Sequence, residues 1–114
     1  MIKKIKLMAD YGCYPLWWTN SGQVGDIDPV SLNLSDETIK RLEKWADTYD
    51  LKLNNDDPSS SGFSTAEAKK AFEEEGIRLW ELLQKELAPN YEVIYFSETL
   101  RKVVTNIGEL KVLL

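Results

Sequence analysis

Histidine is absent from this chain of 114 residues, and cysteine occurs once. The missing histidine removes the commonest general base and the commonest metal ligand, which argues against zinc and iron sites. A single cysteine, Cys13, builds neither an internal disulfide nor a structural zinc site. Neither a phosphate-cradling glycine loop nor a dinucleotide-binding fingerprint occurs, so nucleotide chemistry has no support.

Long apolar runs are also missing. No stretch approaches the ~20 apolar residues that span a bilayer, and the basic start over residues 1–7 alternates like a strand instead of leading into an apolar signal segment. With only one cysteine, this pattern predicts a protein of a reducing compartment, the cytoplasm. A mass of 13.1 kDa with 43% hydrophobic residues predicts a single domain over residues 1–114.

Basic residues are outnumbered, 14 against 19 acidic ones, which gives a net charge of −5 and a pI near 4.8. This balance disfavours binding to a phosphate backbone, so nucleic acid is not an expected partner. The acidic excess either keeps a small protein soluble or forms an acidic face that steers a basic protein partner. Charge alone favours the simpler explanation, solubility.

Periodicity along the chain predicts a small α+β fold. Ile5 and Leu7 alternate with polar residues over residues 3–9, which predicts a first strand with one buried side. Residues 16–19 have the aromatic and β-branched character of a second strand. The segment 23–34 is expected to be an ordered but irregular loop that places single apolar anchors on the core.

Two helices carry clear boundary signals. Ser35 is a natural N-cap, and the first helix is expected to end near Asp50. The second helix opens with a capping-box pattern at residues 64–67, in which the serine is the cap, and it ends before Pro89. Gly76 lies inside it at a disadvantage of about 1 kcal/mol relative to alanine, so either another backbone passes close there or the helix bends.

The remaining segments complete the sheet. Residues 91–96 are dense in β-formers and predict a central strand that is buried on both faces at its middle. Segments 101–105 and 109–114 flank the turn residues 106–108, which favours a hairpin, with a short helix over 98–104 as the alternative. We therefore expect a mainly antiparallel sheet of about four to five strands, with two α-helices packed on it.

The most distinctive segment runs from Met8 to Trp18 and reads MADYGCYPLWW. Such an aromatic turn is either the pivot of a small core or a recognition surface. Adjacent strand residues point to opposite faces, so one of Trp17 and Trp18 enters the core and the other is exposed or covered by a loop. Cys13 has no activating group nearby in sequence, which favours a small buried hydrophobe over a nucleophile.

Aspartates form two groups along the chain. The first comprises Asp10, Asp26 and Asp28, and the second Asp50, Asp56 and Asp57. Either group could supply carboxylates for acid–base chemistry or for a hard cation, but the spacing of the second group does not match a calcium-binding loop. Turn formation and helix capping explain most of these residues, so no metal or cofactor is predicted.

Several motifs resemble a group of short bacterial proteins, across residues 5–97. They are residues 6–17 (KLMADYGCYPLW), 25–29 (GDIDP), 45–47 (WAD), 49–50 (YD), 56–58 (DDP), 61–63 (SGF), 72–76 (FEEEG) and 91–93 (YEV). Small acidic proteins of this kind resemble the immunity proteins of contact-dependent growth inhibition and related polymorphic toxin systems. The resemblance implies a cytoplasmic protein that binds and blocks one cognate toxin domain, and it implies no catalytic residues. The tail from residue 98 lies outside it.

The sequence and the resemblance together predict an immunity-type binding protein that is not an enzyme and that occludes a basic, nuclease-like toxin. Acidic loops and exposed aromatic rings are expected to form the binding face. The residues assigned to it are Asp10, Tyr11, Tyr14, Trp18, Asp26, Asp28, Asp56 and Asp57. The alternative is a small enzyme or ligand-binding protein with a closed pocket at the Asp10–Trp18 turn, in which Asp10 acts as the base. An open acidic surface would favour partner binding instead.

Overall fold

A computed structural model of the chain describes residues 3–19, 22, 24–51, 62–63 and 65–109. Within these residues the regular elements are β1 (Lys3–Leu7), β2 (Leu16–Trp18), β3 (Asp26–Ile27), α1 (Asp36–Asp50), α2 (Ala66–Leu87), β4 (Tyr91–Ser97) and β5 (Lys102–Val104). A single turn of 3-10 helix over Pro29–Ser31 separates β3 from α1. In the described part of the chain, neither α-helix combines the length and apolar character needed to cross a bilayer.

The strands form one five-stranded sheet in the order β3-β2-β1-β4-β5. The β1–β4 pair is parallel, with Ile5 opposite Val93. The other three pairs are antiparallel. The predicted α+β class, with a mainly antiparallel sheet and two helices, is therefore confirmed. Because β1 and β4 are parallel, the turns that follow them lie at the same end of the sheet, where both strands finish.

The core lies between the sheet and the helices. Alternate strand residues such as Ile5, Leu7 and Val93 are buried on the face that α2 covers, and α1 packs against α2. Trp80 of α2 is almost completely buried, and its indole N–H donates to the backbone carbonyl of Val93 at 2.7 Å. This bond satisfies the polar atom of a buried aromatic ring and fixes α2 against β4.

Helix α1 begins and ends where the sequence predicts. The Ser35 side chain caps it by accepting from the backbone N–H of Thr38 at 3.2 Å. Leu42, Trp45 and Tyr49 form its buried face, as their helical spacing indicates.

Helix α2 differs from expectation at its start. Its N-cap is Thr65, whose side chain accepts from the N–H of Ala68 at 3.0 Å. The prediction of a serine cap at residue 64 is wrong by one residue, because the first helical residue is Ala66. The helix ends at Leu87, before the predicted stop at Pro89.

Gly76 is explained by side chains and not by another backbone. A Cβ at this position would lie 2.5 Å from the hydroxyl oxygen of Tyr95 and 2.9 Å from the Trp45 ring. The glycine therefore leaves room for two large aromatic rings where α1, α2 and β4 meet.

Strand β4 is interior, with β1 on one side and β5 on the other, and its middle is buried, as predicted. Its hairpin partner differs from expectation, because β5 pairs with β4 across a turn at residues 98–101. The alternative helix over 98–104 is therefore wrong. The predicted second hairpin strand, 109–114, lies outside the described residues apart from Glu109.

Candidate functional site

The turn between β1 and β2 is held in place by aspartate side chains. Asp50, the last residue of α1, accepts from the backbone N–H of Gly12 at 3.0 Å. Asp26, the first residue of β3, accepts from the backbone N–H of Tyr14 at 2.8 Å. Gly12 has a φ of 70°, which favours glycine. Within the turn, the side chain of Asp10 accepts from the backbone N–H of Tyr11 at 2.8 Å. Carboxylates from three parts of the fold therefore converge on this one turn.

An open groove of about 530 Å³ lies between this turn and α1. We call it the acidic groove, and its described lining consists of Gly12, Cys13, Tyr14, Pro15, Asp26, Pro29, Glu43, Ala46, Asp47 and Asp50. Four of these residues are acidic, and no described lining residue is basic. The site is thus a solvent-accessible depression with a negative potential.

The negative charge around the groove affects Tyr14. The charge of Asp28 is the main cause that raises the pKa of Tyr14. Tyr14 remains 46% exposed, so its ring stands beside the groove and is open to a partner. An exposed tyrosine next to fixed carboxylates suits recognition of a cationic side chain.

Cys13 is not set up as a nucleophile. Burial raises the pKa of its thiol, and Asp10, Asp26 and Asp50 raise it further. The thiol donates to the backbone carbonyl of Tyr11 at 3.4 Å. Because the thiolate is the reactive form, this environment makes Cys13 a poorer nucleophile than a free cysteine.

Tyr11 contributes to packing. Its ring lies 4.7 Å from the ring of Tyr49 and packs against the core. Burial, followed by the charge of Glu98, raises the pKa of Tyr49 to about 12. Glu98 belongs to the turn after β4, so both turns at the carboxyl ends of the parallel strands β1 and β4 reach this region.

The two adjacent tryptophans lie on opposite faces of the sheet. Trp18 pairs with Ile5 in the strand register, packs against the core, and has its ring 6.5 Å from that of Tyr91. Trp17 points to the face away from the helices, and its indole N–H donates to the carbonyl of Met8 at 2.8 Å. The outward ring of the pair is therefore Trp17, whereas the sequence assigns Trp18 to the binding face.

The structure brings together part of the predicted face. Asp10, Tyr11, Tyr14, Asp26 and Asp28 lie at or beside the acidic groove. Trp18 lies on the helix-covered face, and Asp56 and Asp57 lie outside the described residues.

The helix side of the groove was missed from the sequence. Glu43 and Asp47 of α1 line it together with Asp50. These three acids are spaced by four and three residues, so they lie on one side of the helix, and that spacing is a signal readable from the sequence. What the spacing does not show is that this side faces the β1–β2 turn.

Among the described residues, no cluster of three or more histidine, cysteine or acidic side chains is positioned to hold a metal ion. Asp28, for example, uses one carboxylate oxygen to accept from the N–H of Val30 at 3.0 Å, which caps the 3-10 turn.

An open acidic groove beside an exposed tyrosine defines a protein-binding module more readily than a catalytic pocket. The comparison with known families agrees. A model of the family described as Serratia CdiI immunity protein-like matches residues 3–98, and the chain belongs to that family. A search of curated proteins finds no match. The family is one of immunity proteins, whose partner is a cognate toxin.

Proposed function

We propose that this protein protects a bacterial cytoplasm by binding one cognate toxin domain at the acidic groove and occluding the toxin's working surface. Membership in the immunity family supports binding to a toxin. The observation that carries the choice of surface is the groove itself, where Asp26, Glu43 and Asp47 line one open depression.

The charge of the groove favours a basic partner. No described lining residue is basic, so a cationic patch on the toxin would meet carboxylates that form no ion pair with a described residue, and a complementary potential. Toxins that cleave nucleic acids need such a patch to bind phosphates. We therefore propose a nuclease-like toxin, for which the acidic groove competes with the nucleic-acid substrate.

Tyr14 supplies the aromatic contact at this surface. It is exposed, and its backbone N–H donates to Asp26, so the turn that carries the ring is held in place before binding. An aromatic side chain on an ordered turn has few rotatable bonds to restrict when a partner docks, which favours it as an energetic anchor. Asp10 and Asp28 extend the negative surface on either side.

The proposal is tested by titrating the toxin domain encoded beside this gene into the purified protein and measuring heat of binding. The double variant Glu43→Lys/Asp47→Lys replaces two attractive charges with two repulsive ones. We expect it to raise the dissociation constant by at least about 100-fold, because like charges across an interface are strongly unfavourable. We also expect affinity of the unmodified protein to fall as salt is raised.

The matched control is Glu81→Lys, which makes the same kind of charge reversal at an exposed position of α2 outside the groove. It should retain the affinity of the unmodified protein to within about threefold, since distant surface charges contribute little. Equal weakening by the groove variant and the control would show that only net charge matters. That result would contradict the assignment of the groove.

The alternative function, a small enzyme or ligand-binding protein with a pocket at the aromatic turn, receives less support. It requires a closed pocket that gathers Asp10 and Cys13, whereas the cavity at this turn is an open groove. The raised pKa of Cys13 also disfavours its thiolate, the form in which this residue would act as a nucleophile.

A further inference from the structure

The sheet has a second, apolar surface on the face away from the helices. Strand alternation and register place Ile94, Lys6, Trp17 and Asp26 in one row across β4, β1, β2 and β3. We call this surface the open face, and with its neighbours it comprises Met8, Trp17, Ile94, Phe96 and Val103 around Lys6. No helix or strand of the described residues covers it.

The open face is not an extension of the core. Ile94 is only 8% exposed, yet it does not belong to the core cluster, and neither do Trp17 and Phe96. Val103, opposite Phe96 on the edge strand, is 40% exposed. The Arg101 guanidinium lies over the Phe96 ring, 5.3 Å from its centroid, and the Lys4–Glu92 ion pair lies at the opposite end of the face. A solvent-facing sheet surface usually carries polar residues along its whole length, so the apolar side chains between these polar ends favour a surface that another molecule covers.

Lys6 lies at the centre of this surface. Among the described residues, its ammonium group makes no ion pair or hydrogen bond, whereas the neighbouring Lys4 pairs with Glu92 at 3.2 Å. Burying an unpaired ammonium is costly, so the covering molecule must bring a carboxylate to this point. A second copy placed face to face about Lys6 would instead bring two ammonium groups together.

The geometry points to the cognate toxin as the occupant: we propose that its interface runs from the acidic groove, across Asp26 and Trp17, onto the open face. This inference rests on the proposed function. Asp26 connects the two surfaces, because it lines the groove and is paired with Trp17 in the β2–β3 register. A standard interface covers ~800 Å² on each partner, which is large enough to include both adjoining surfaces.

The partner surface must therefore be of two kinds. A cationic patch meets the groove, and an apolar patch that carries one carboxylate meets the open face at Lys6. This second contact gives specificity, because an unrelated basic protein could satisfy the groove but would leave Lys6 buried without a partner.

The first test uses methyl groups as reporters, with the unmodified protein and the toxin domain encoded beside its gene. Toxin is added to protein labelled at the methyls of Met8, Ile94 and Val103 on the open face and of Ala46 in the groove. We expect shifts at both surfaces at the same toxin concentration. Shifts at Ala46 alone would overturn the inference and leave the proposed function standing.

The second test uses variants with matched controls. Lys6→Glu is expected to raise the dissociation constant of the toxin complex by about tenfold or more, and Val103→Ala by about threefold. Lys69→Glu on α2 repeats the charge reversal outside both surfaces, and Ile107→Ala, at an isoleucine 38% exposed beside α2, is a truncation at similar exposure. Both controls should change the dissociation constant less than twofold. Circular dichroism of each variant is the check that it is folded.

Three further outcomes of these experiments would overturn the inference that the toxin covers the open face. Unchanged toxin affinity in Lys6→Glu and Val103→Ala, with loss in the Glu43→Lys/Asp47→Lys variant, would confine the interface to the groove and overturn the inference. Concentration-dependent shifts of the Val103 methyls without toxin would identify a second copy as the occupant and would also overturn it. No binding of toxin by the unmodified protein would refute the proposed function together with this inference.

Discussion

Gly76 illustrates, at the scale of single residues, how a missing side chain determines the packing of larger ones. Tyr95 and Trp45 occupy the space that a Cβ at this position would need. The Tyr95 hydroxyl donates to the buried carboxylate of Glu73, which also accepts from the Ser97 hydroxyl at 2.6 Å. Because the ring is tied into this network, it has little freedom to move away from an added methyl group.

We predict that Gly76→Ala destabilises the protein by about 2 kcal/mol. Alanine gains about 1 kcal/mol in helix propensity, but overpacking against a buried, hydrogen-bonded ring outweighs that gain. The free energy of unfolding in urea measures the effect. Lys69→Ala, at an exposed position of the same helix, is the control and should change stability by less than about 0.5 kcal/mol. A Gly76→Ala variant more stable than the unmodified protein would show that the rings yield easily.

The sequence shows that Gly76 is anomalous but not why. Helix propensity identifies a glycine in the wrong place, since propensity depends on local backbone freedom. The rings that explain it come from residues 31 positions before and 19 positions after it. The role of Glu73 is equally hidden in the sequence, because its partners Ser97 and Tyr95 reach it only when α2 packs on β4.

At the scale of secondary-structure elements, Glu86 joins the end of α2 to the start of α1. Its carboxylate accepts from the backbone N–H of Ser35 at 2.8 Å and from the hydroxyl of Thr38. Burial by itself would raise the pKa of Glu86, but these hydrogen bonds stabilise the charged form and lower the pKa below its ordinary value of 4.5.

A pH dependence follows from this joint. A carboxyl whose pKa is lowered on folding stabilises the protein above pH 4.5, and this contribution is lost as the pH falls through the lowered pKa. We predict that Glu86→Gln has a smaller loss of stability than the unmodified protein between pH 4.5 and the acid limit of folding. Thermal unfolding across that pH range measures this loss of stability.

The control is Glu81→Gln, which removes an exposed carboxylate from the same helix. If the stability of Glu86→Gln and of the unmodified protein fell in parallel with pH, the proposed role of the Glu86 carboxylate would be refuted.

The elements that could be predicted are those whose boundaries are set by residues close together in the sequence. The cap at Ser35, the end of α1 and the stop at Pro89 depend on residues next to one another, and the helices lie where those signals place them. Strand β5 is three residues long, and its identity depends on pairing with β4. Pairing of that kind is a tertiary contact, so local sequence favours a different hairpin and leaves a helix as the alternative.

At the scale of the whole molecule, the acidic groove and the open face, which meet at Asp26, differ in chemistry. The groove is acidic, whereas the open face is apolar with Lys6 at its centre. The half of the groove on the β1–β2 turn was predictable, because its aspartates and tyrosines are close in sequence. The half on α1 was not, because the position of Glu43 and Asp47 depends on how the helix docks across the turn.

The central claim, that this protein confers immunity to one toxin, is tested most directly by growth of bacteria that produce the toxin domain encoded beside its gene. We predict that co-production of the unmodified protein restores growth. The Glu43→Lys/Asp47→Lys variant, made in equal amount, should fail to do so, because the acidic groove can no longer hold a basic toxin surface. Continued growth arrest in cells that contain the unmodified protein would contradict the account.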